Sequence, residues 1–351
     1  MNVSFRRLVL YFLASAAFLT AGAVAGAQKL PPPSQKLPPI EPPKPMPSQQ
    51  GPAATIKTTT TEVLVPTLVE KKGHVIYGLK QGDFVVEDDG VPQKIHVQEE
   101  MDTAPVALVV AVEQGGASVL EFGKLAKMGP LLDLFLVDPR SKAALVGFDS
   151  GQHLICDFTH SESKLNHDLE NLQPGDGGDA ILDTVSYAVN LLETQPRNYR
   201  RVLLLISERR DHGSKHTKIE DVIRQIGRSS VMVLSVSFSP AVAELAHDAT
   251  DSGENRTMNL ASALFMLVQA FKKNMAKEIA TMSGGEYTTF TGNKRFEERV
   301  VNAARDVRNR YLITFSPSNP MPGLHTLKVR TVQDYGARIV ARANYWLGPP
   351  E

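Results

Sequence analysis

The sequence predicts an α/β fold with a doubly wound, mainly parallel sheet of six strands, accompanied by a small β-sandwich formed by the flanking segments. Between Pro105 and about Arg310, apolar strand-like runs alternate with stretches of helical spacing. This alternation is typical of a parallel sheet with helices on both faces, and continuously apolar runs are expected of strands covered on both sides. The strand candidates are VALVVAV, AALVGFD, QHLICDF, RVLLLIS, VMVLSVSF and GEYTTF, and the helix candidates are AILDTVSYAVNLLE, KIEDVIRQIGR, SALFMLVQAFKKNMAKEIATMSGG and KRFEERVVNAARDVRNR.

Local signals inside this region refine the prediction. An Asp-Ser-Gly turn at residues 149–151 joins two strand candidates, so QHLICDF is expected to be an antiparallel edge strand. The glycine pair at 284–285 is expected to end its helix as a C-cap. The polar, turn-rich segment 239–260 predicts a surface loop, and either recognition or a simple insertion would explain it.

The segments on either side of this region predict short strands. Residues 58–100 contain apolar alternations joined by Lys-Lys-Gly and Asp-Asp-Gly turns, which are hairpin signals. After Arg310 come three more strand patterns, RYLITFSP, GLHTLKVRTV and ARIVARANYW. Each piece alone has open edges and too few strands for stability. We therefore expect one discontinuous β-sandwich from residues 56–102 plus 310–347, with an α/β domain, residues 103–309, inserted into it.

The N-terminus predicts export. Arg6 and Arg7 precede an apolar run that ends in Ala25-Gly26-Ala27, an A-x-A cleavage pattern, so residues 1–27 are expected to be a secretory signal peptide. An uncleaved membrane anchor is the alternative, because the run is just long enough to span a bilayer. Residues 28–55 are rich in proline and predict an extended linker. The mature protein is expected to be secreted, periplasmic or on the cell surface.

Composition and motifs exclude several function classes. Lys plus Arg and Asp plus Glu both number 38, so there is no net basic field to attract nucleic acid or anionic lipid. The sequence contains no G-x-S-x-G, no H-E-x-x-H and no P-loop, so we expect no catalytic residues and no enzyme activity. The basic run at residues 197–201 is interpreted as a solvated lead into a strand.

A succession of motifs resembles a known family. In order they are GLKQGDFVVEDDGVPQKI, PVALVVAVEQGGAS, GDGGDAILDTVSYA, RVLLLISERRDHGS, EIATMSGGEYTTF and RNRYLITFSPSNP followed by GLHTLKVR. From about Thr58 to Trp346 the chain resembles secreted bacterial proteins with a von Willebrand factor type A domain, of the acidobacterial type. The resemblance implies a metal-ion-dependent adhesion site in the crevice where the strand order reverses.

The family pattern of that site is D-x-S-x-S after the first strand, a threonine in a second loop and an aspartate after a later strand. These oxygen ligands and waters hold Mg²⁺, and a carboxylate of the binding partner completes the shell. This sequence departs at every position. Glu113 replaces the first aspartate, Gly115 and Ala117 replace the serines, Asp179 replaces the threonine and Glu208 replaces the last aspartate.

The departures leave a degenerate acidic site with two open outcomes. Glu113, Asp179 and Glu208 are expected to converge, and they could form a weak site for Ca²⁺ or Mg²⁺. Without an ion, repulsion among them must be relieved by solvent, by protonation or by the neighbouring arginines, Arg209 and Arg210. We expect no cofactor, because the loss of direct ligands usually removes most of a site's affinity.

Two functions are compatible with these features. The first is an exported, non-enzymatic protein-interaction or adhesion module that binds an unidentified protein through the loops above the sheet. The second uses the acidic residues directly, either as a carboxylate-cluster hydrolase or as a divalent-cation-dependent adhesin with a non-standard site. The candidate binding residues are Glu113, Gln114, Gly115, Ala117, Ser118, Asp176, Asp179, Glu208, Arg209 and Asp211.

Overall fold

The computed structural model describes residues 62–98, 104–238, 260–290 and 292–348, which all belong to one compact unit. The predicted signal peptide (1–27), the linker (28–55) and all but the last residue of the predicted surface loop (239–260) lie outside the described residues. Among the described residues, no helix has the length and apolar content needed to cross a membrane.

The elements follow one another in three groups. The first strands are β1 (Val63–Lys71), β2 (His74–Val75), β3 (Phe84–Asp88), β4 (Val91–Pro92) and β5 (Ile95–Gln98). The central elements are β6 (Val106–Glu113), α1 (Phe122–Leu125), α2 (Gly129–Leu132), β7 (Lys142–Phe148), β8 (Gln152–Thr159), α3 (Glu162–Glu170), α4 (Ile181–Glu193), β9 (Arg200–Ser207), α5 (Ile219–Arg228), β10 (Met232–Phe238), α6 (Leu260–Lys273), α7 (Met275–Ser283), β11 (Tyr287–Phe290) and α8 (Asn293–Arg308). The last strands are β12 (Tyr311–Phe315), β13 (Gly323–Thr331), β14 (Arg338–Ala341) and β15 (Asn344–Leu347).

The central sheet has six strands in the order β11-β10-β9-β6-β7-β8. All neighbours are parallel except β7 and β8, which form the predicted antiparallel hairpin at the edge. Every residue of β6 is buried, because its alternate side chains enter two different cores. Leu108 belongs to the core shared with α2, α3 and α8, whereas Val109 belongs to the core shared with α4, α5 and α7 on the other face. The predicted doubly wound fold class is confirmed.

One predicted helix is divided in the structure. The run SALFMLVQAFKKNMAKEIATMSGG forms α6 and α7, which are separated at Asn274. The Asn274 side chain accepts a hydrogen bond from the backbone N–H of Lys277 at 3.0 Å, so it caps a new helix instead of continuing the old one. The predicted end of the run is confirmed: Gly284 has φ +83° and terminates α7 in the left-handed conformation that glycine favours.

Two antiparallel sheets face each other to form a sandwich. One has the order β14-β1-β12-β5, with β2 beside β1, and the other has the order β15-β13-β3-β4. Each sheet combines strands from before and after the central α/β region: β1 pairs with β12, and β3 pairs with β13. Aromatic rings pack between the sheets, with 5.1 Å between the ring centroids of Phe84 and Tyr311.

The run ARIVARANYW is two strands instead of the one that was expected. β14 pairs with β1 in the first sheet, and β15 pairs with β13 in the second. Arg342, between them, is 6% exposed, and its Nη2 donates to the carbonyls of Ile226 and Gly227 at 2.9 and 2.5 Å. The chain changes sheets at this point because the buried guanidinium takes its hydrogen-bond partners from the end of α5.

A buried ion pair joins the two chain segments that build the sandwich. His325 of β13 places Nδ1 at 3.2 Å from Asp88 Oδ1 and 2.9 Å from Asp89 Oδ2, and its Nε2 lies 2.6 Å from the Met321 carbonyl. The Tyr345 hydroxyl donates to the other oxygen of Asp88 at 2.8 Å. The hydrogen bond to Asp88 raises the pKa of His325 to about 9, so the imidazole is a cation at neutral pH.

This ion pair predicts a loss of stability in alkaline solution. The folded-state pKa of His325 lies above its ordinary value of 6.5, so its stabilisation is complete below that value and is lost as the pH rises through about 9. We expect the wild type to lose up to about 3 kcal/mol between pH 6 and 10 relative to His325→Gln. Urea unfolding across this range measures the difference. The exposed His96 gives the control, His96→Gln, and equal pH profiles for wild type and His325→Gln would contradict the assignment.

Candidate functional site

The candidate site lies at the carboxyl ends of the parallel strands. β6 has β9 on one side and β7 on the other, so the chain order reverses at β6 and the loops that follow β6 and β9 diverge. This is the crevice in which open α/β sheets usually bind ligands. Three segments meet there: residues 113–121 after β6, residues 173–180 before α4 and residues 208–218 after β9.

A hydrogen bond joins two of the predicted acidic residues, from the backbone of one to the carboxyl group of the other. Glu113 is the last residue of β6 and is 1% exposed, and its Oε2 accepts a hydrogen bond from the backbone N–H of Glu208 at 2.6 Å. Glu208 itself is half-buried. A β-carbon added to Gly116 would lie 3.6 Å from Glu208 Oε1 and 3.9 Å from Glu113 Oε1. Both carboxyl groups therefore face the loop backbone at Gly116, which has φ +53°.

Asp179 approaches the same place from the second loop. It is 5% exposed, and neither of its carboxyl oxygens has a hydrogen-bond partner among the described residues. Glu113 Oε1 is equally buried and unpartnered. The backbone carbonyl of Asp179 accepts from the N–H of His212 at 2.9 Å, which fixes the second loop against the third. Three buried carboxyl oxygens, one of Glu113 and both of Asp179, thus lack the donors that a carboxylate needs.

Burial dominates the electrostatics of this pair. Desolvation and, after it, the charge of Glu208 raise the pKa of Glu113 to about 8, although the hydrogen bond from the Glu208 N–H opposes the rise. Desolvation, followed by the charges of Glu113, Asp211 and Glu208, raises the pKa of Asp179 to about 9. Both groups therefore hold a proton at neutral pH.

The arginines that follow do not neutralise the pair. Arg209 is half-buried, and its backbone carbonyl accepts from the N–H of Ala276 at 3.4 Å. Arg210 is exposed. Within the described residues neither guanidinium forms an ion pair with the acidic cluster, and neither lowers the pKa of Glu113 or Asp179. The sequence left three ways to relieve the repulsion between the acidic side chains: solvent, protonation or the neighbouring arginines. The geometry favours protonation.

The first and second loops are in close backbone contact. A β-carbon added to Gly115 would lie 2.1 Å from the carbonyl oxygen of Gly178 and 2.7 Å from that of Asp176, distances that no side chain can adopt. Gln114 reinforces the contact, because its Nε2 donates to the Gln173 carbonyl at 2.8 Å. Glycine at position 115 is therefore required by packing, and a serine could not be accommodated without moving a loop.

The other predicted residues have structural surroundings. Ser118 is buried, and its hydroxyl donates to the Gly115 carbonyl at 2.5 Å. Asp176 is exposed and accepts from the Ser150 N–H at 3.0 Å, so it holds the β7–β8 hairpin and has no contact with the acidic cluster among the described residues. Asp211 accepts from the Leu182 N–H at 3.1 Å, at the start of α4. Ala117 lies in the 3-10 turn Gly116–Glu121.

One residue that organises the site was missed by the sequence reasoning. Asp183, buried in the first turn of α4, accepts from the backbone N–H groups of Lys215 and Thr217 at 2.8 and 2.6 Å. Burial acts to raise the pKa of Asp183, but these hydrogen bonds prevail and lower it. The sequence does contain a signal, since an acid within an otherwise apolar helix start is typical of a side chain that holds a neighbouring loop.

The outer surface of the loops is both apolar and basic. Leu120 is 83% exposed and Val119 is 39% exposed, which is unusual for adjacent aliphatic side chains. The exposed residues of the third segment before Lys218, the N-cap residue of α5, are Arg210, His212, Lys215 and His216. We call these six residues the loop crest. Glu113 and Asp179 are buried and do not belong to it.

The carboxyl groups do not form a compact ligand set. Among the described residues, the group of three side chains whose ligand atoms all lie within 4.8 Å of one another is Asp88, Asp89 and His325 in the sandwich. Glu113, Asp179 and Glu208 do not bring three oxygens within that distance. They share a neighbourhood and influence one another's charge, but their arrangement is wider than a metal shell.

No family model matches the sequence, and no curated protein matches it either. Among solved structures, the chain is similar to von Willebrand A domain proteins at low identity. One is von Willebrand factor type A from Catenulispora acidiphila, with 10% identity, 77% of this chain and 74% of that chain covered, and a TM-score of 0.40. Another is the conserved hypothetical protein BatB from Bacteroides thetaiotaomicron, with 16% identity, 57% and 99% covered, and a TM-score of 0.38.

A third is the vWF domain of the type V pili tip protein Mfa5 from Porphyromonas gingivalis, with 12% identity, 58% of this chain and 95% of that chain covered, and a TM-score of 0.38. The fold class of the present chain rests on its own strand order, in which five parallel strands and one antiparallel edge strand are covered by helices on both faces.

The protonated pair predicts that a neutral isostere stabilises the protein. The folded-state pKa values of Glu113 and Asp179, about 8 and 9, exceed the ordinary 4.5 and 3.8. The pair's stabilisation is therefore complete at acid pH and is lost as the pH rises through 8 and 9. We expect Glu113→Gln to be more stable than wild type at pH 9 by at least about 1.4 kcal/mol, the value of one pKa unit.

Urea unfolding between pH 5 and 9 measures this difference. The control is Glu298→Gln, which neutralises an exposed acid on α8 and should leave the pH profile unchanged. A destabilised Glu113→Gln protein at pH 9 would contradict the account, because it would mean that the wild-type carboxylate is charged and satisfied.

Proposed function

We propose that this chain is an exported protein-interaction module that binds its partner through the loop crest, without a cation in the crevice. The observation that carries the proposal is the contact between Gly115 and the Gly178 carbonyl, where an added β-carbon would lie 2.1 Å from the oxygen. In the family pattern this position supplies a serine ligand. Here the second loop fills the space that such a side chain needs.

Three further features argue that Mg²⁺ does not fit. Position 117 is alanine, so neither serine hydroxyl of the family pattern is present. The oxygens of Glu113, Asp179 and Glu208 are too dispersed for one small shell, whereas Mg²⁺ demands near-octahedral geometry at short distances. The raised pKa values of Glu113 and Asp179 mean that a cation would first have to displace protons. The cation-dependent adhesin is thus the less favoured candidate.

The chemistry of the loop crest indicates the kind of partner. Leu120 and Val119 offer an exposed apolar contact, and Arg210 and Lys215 lie on the same edge of the sheet with their side chains in solvent. A protein surface with an apolar depression and carboxylate side chains around it would complement this arrangement. The predicted signal peptide supports a partner outside the cytoplasm.

Burial also argues against the hydrolase. Glu113 and Asp179 are 1% and 5% exposed, so a substrate has no direct access to either carboxyl group. A general acid or base must come within hydrogen-bond distance of the reacting atom. The perturbed pKa values of this pair are better explained by the packing of the loops than by catalysis, and we propose a non-enzymatic role.

Site-specific crosslinking in the cells that produce the protein tests this proposal. A photoreactive residue at Leu120 should yield a discrete crosslinked partner, because the crest is the binding surface. The control position is Val332, an aliphatic residue that is 62% exposed in the sandwich region. Arg210→Glu should reduce the Leu120 product several-fold, whereas Lys328→Glu, at an exposed position of β13, should not.

The proposal fails if Leu120 gives no product, or if Leu120 and Val332 give the same products. It also fails if Arg210→Glu leaves the product unchanged, since the basic part of the crest would then have no role in recognition.

A further inference from the structure

A cavity of about 820 Å³ lies at the opposite edge of the sheet from the loop crest. It is lined by the residues that immediately precede β6 and β10, by the start of β9, and by Leu64 and Leu312 of the sandwich. It therefore lies between the amino edge of the parallel sheet and the strands β1 and β12. Its volume falls within the range that small-molecule sites occupy.

The lining of this cavity is strongly basic. Six arginines contribute to it, against a single carboxylate, Glu193. The chain as a whole has no net charge, so this concentration is a local property of the fold. The arginines are Arg140, Arg197, Arg200, Arg201, Arg228 and Arg310.

Two of these arginines donate hydrogen bonds to the C-terminal ends of neighbouring helices. Arg201 Nη2 donates to the carbonyls of Gln195 and Glu193, at the end of α4, at 2.5 and 3.5 Å. Arg200 Nη1 donates to the Val307 carbonyl, in the last turn of α8, at 2.7 Å. Cations at a helix C-terminus satisfy free carbonyls and complement the helix dipole. These contacts explain why arginines line this edge, but they do not use all the available donors.

Arg310 is the clearest case of a guanidinium with unused hydrogen-bond donors. It is 1% exposed, and its Nη1 donates to the Gly284 carbonyl at 2.6 Å. Its Nε and Nη2 are also buried and have no hydrogen-bond partner among the described residues. Arg201 Nε is in the same condition. Burial lowers the pKa of Arg310 to about 10, so the group is still a cation at neutral pH, and unpartnered buried donors are costly.

The rim carries two more arginines. Arg197 and Arg228 are exposed, and within the described part of the chain neither forms an ion pair or donates a hydrogen bond. Apolar side chains also line the cavity, among them Leu64, Met232 and Leu312. The cavity thus combines unused guanidinium donors with an apolar wall.

We propose that this cavity binds a small organic anion whose phosphate or carboxylate group is held by the arginines and whose apolar portion contacts Leu64, Met232 and Leu312. Guanidinium groups pair with both anions through two parallel hydrogen bonds. A phosphate dianion uses more donors than a carboxylate, and so it is the better match for Arg310 together with the two rim arginines. This site is independent of the loop crest.

Two probe anions test the proposal on the chain from Gln28 onward: phenyl phosphate and benzoate, titrated against chloride at constant ionic strength. The expected result is a saturable rise in the unfolding midpoint, larger with phenyl phosphate, with an affinity that calorimetry can measure. The double variant Arg197→Gln/Arg228→Gln removes only exposed side chains, so it should fold. It should bind at least about tenfold more weakly, because each lost charge-assisted hydrogen bond is worth that much.

The matched control removes the same charge elsewhere: Lys94→Gln/Lys328→Gln, at two exposed positions of the sandwich region, should bind as the wild type does. A rise with both probes supports a general anion site, and a rise with phenyl phosphate alone supports a phosphate site. No saturable rise with either probe would overturn the proposal. Equal affinities of the wild type and the arginine double variant would also overturn it.

Discussion

The antiparallel pairing of β1 with β12 holds the two halves of the sandwich together. It joins the segment that precedes the α/β region to the segment that follows it, with Val65 opposite Ile313. Neither flanking segment has enough strands to bury its own apolar face. Once they are paired, the sandwich core closes and both ends of the α/β region are fixed. The same closure forms the basic cavity, because Leu64 and Leu312 come from these two strands.

The candidate site shows how burial can change the chemistry of a position in the fold. Two unit charges 4 Å apart at an effective dielectric constant of 20 repel by about 4 kcal/mol. Keeping a proton on a carboxyl group costs only about 1.4 kcal/mol for each pKa unit. Buried, and with no cationic side chain among the described residues lowering either pKa, Glu113 and Asp179 are therefore more stable as neutral acids. The loops close over them, and in the function we propose recognition is left to the side chains of the crest.

Much of the fold could be predicted because continuous apolar runs, helical spacing and turn residues act locally. The two errors have different causes: the first is a local side-chain hydrogen bond that apolar spacing does not reveal, and the second depends on tertiary partners. Asn274 interrupts a helix by capping the next one, and Arg342 turns the chain between sheets because its partners belong to α5. His325 was missed for the same reason, since Asp88 lies far from it in sequence and only the strand pairing brings them together.

The site was predictable in position but not in detail. Motif order placed Glu113, Asp179 and Glu208 in one crevice, whereas the Gly115–Gly178 contact and the burial of the pair depend on loop packing. The interpretation of residues 197–201 as a solvated lead was incomplete. Arg200 and Arg201 are half-buried and bind the ends of two helices, which no local pattern reveals.

Thermal unfolding of the chain from Gln28 onward shows whether the crevice binds a metal ion. The protein is first unfolded in EDTA and then with Mg²⁺, Mn²⁺ or Ca²⁺ titrated in, alongside Glu208→Gln and Asp179→Ala. An ion that binds only the folded state raises the midpoint. We expect no saturable rise that depends on Glu208 or Asp179, because the crevice lacks the geometry of a metal site. A saturable rise in the wild type that either substitution abolishes would contradict it and would make the acidic cluster a metal site.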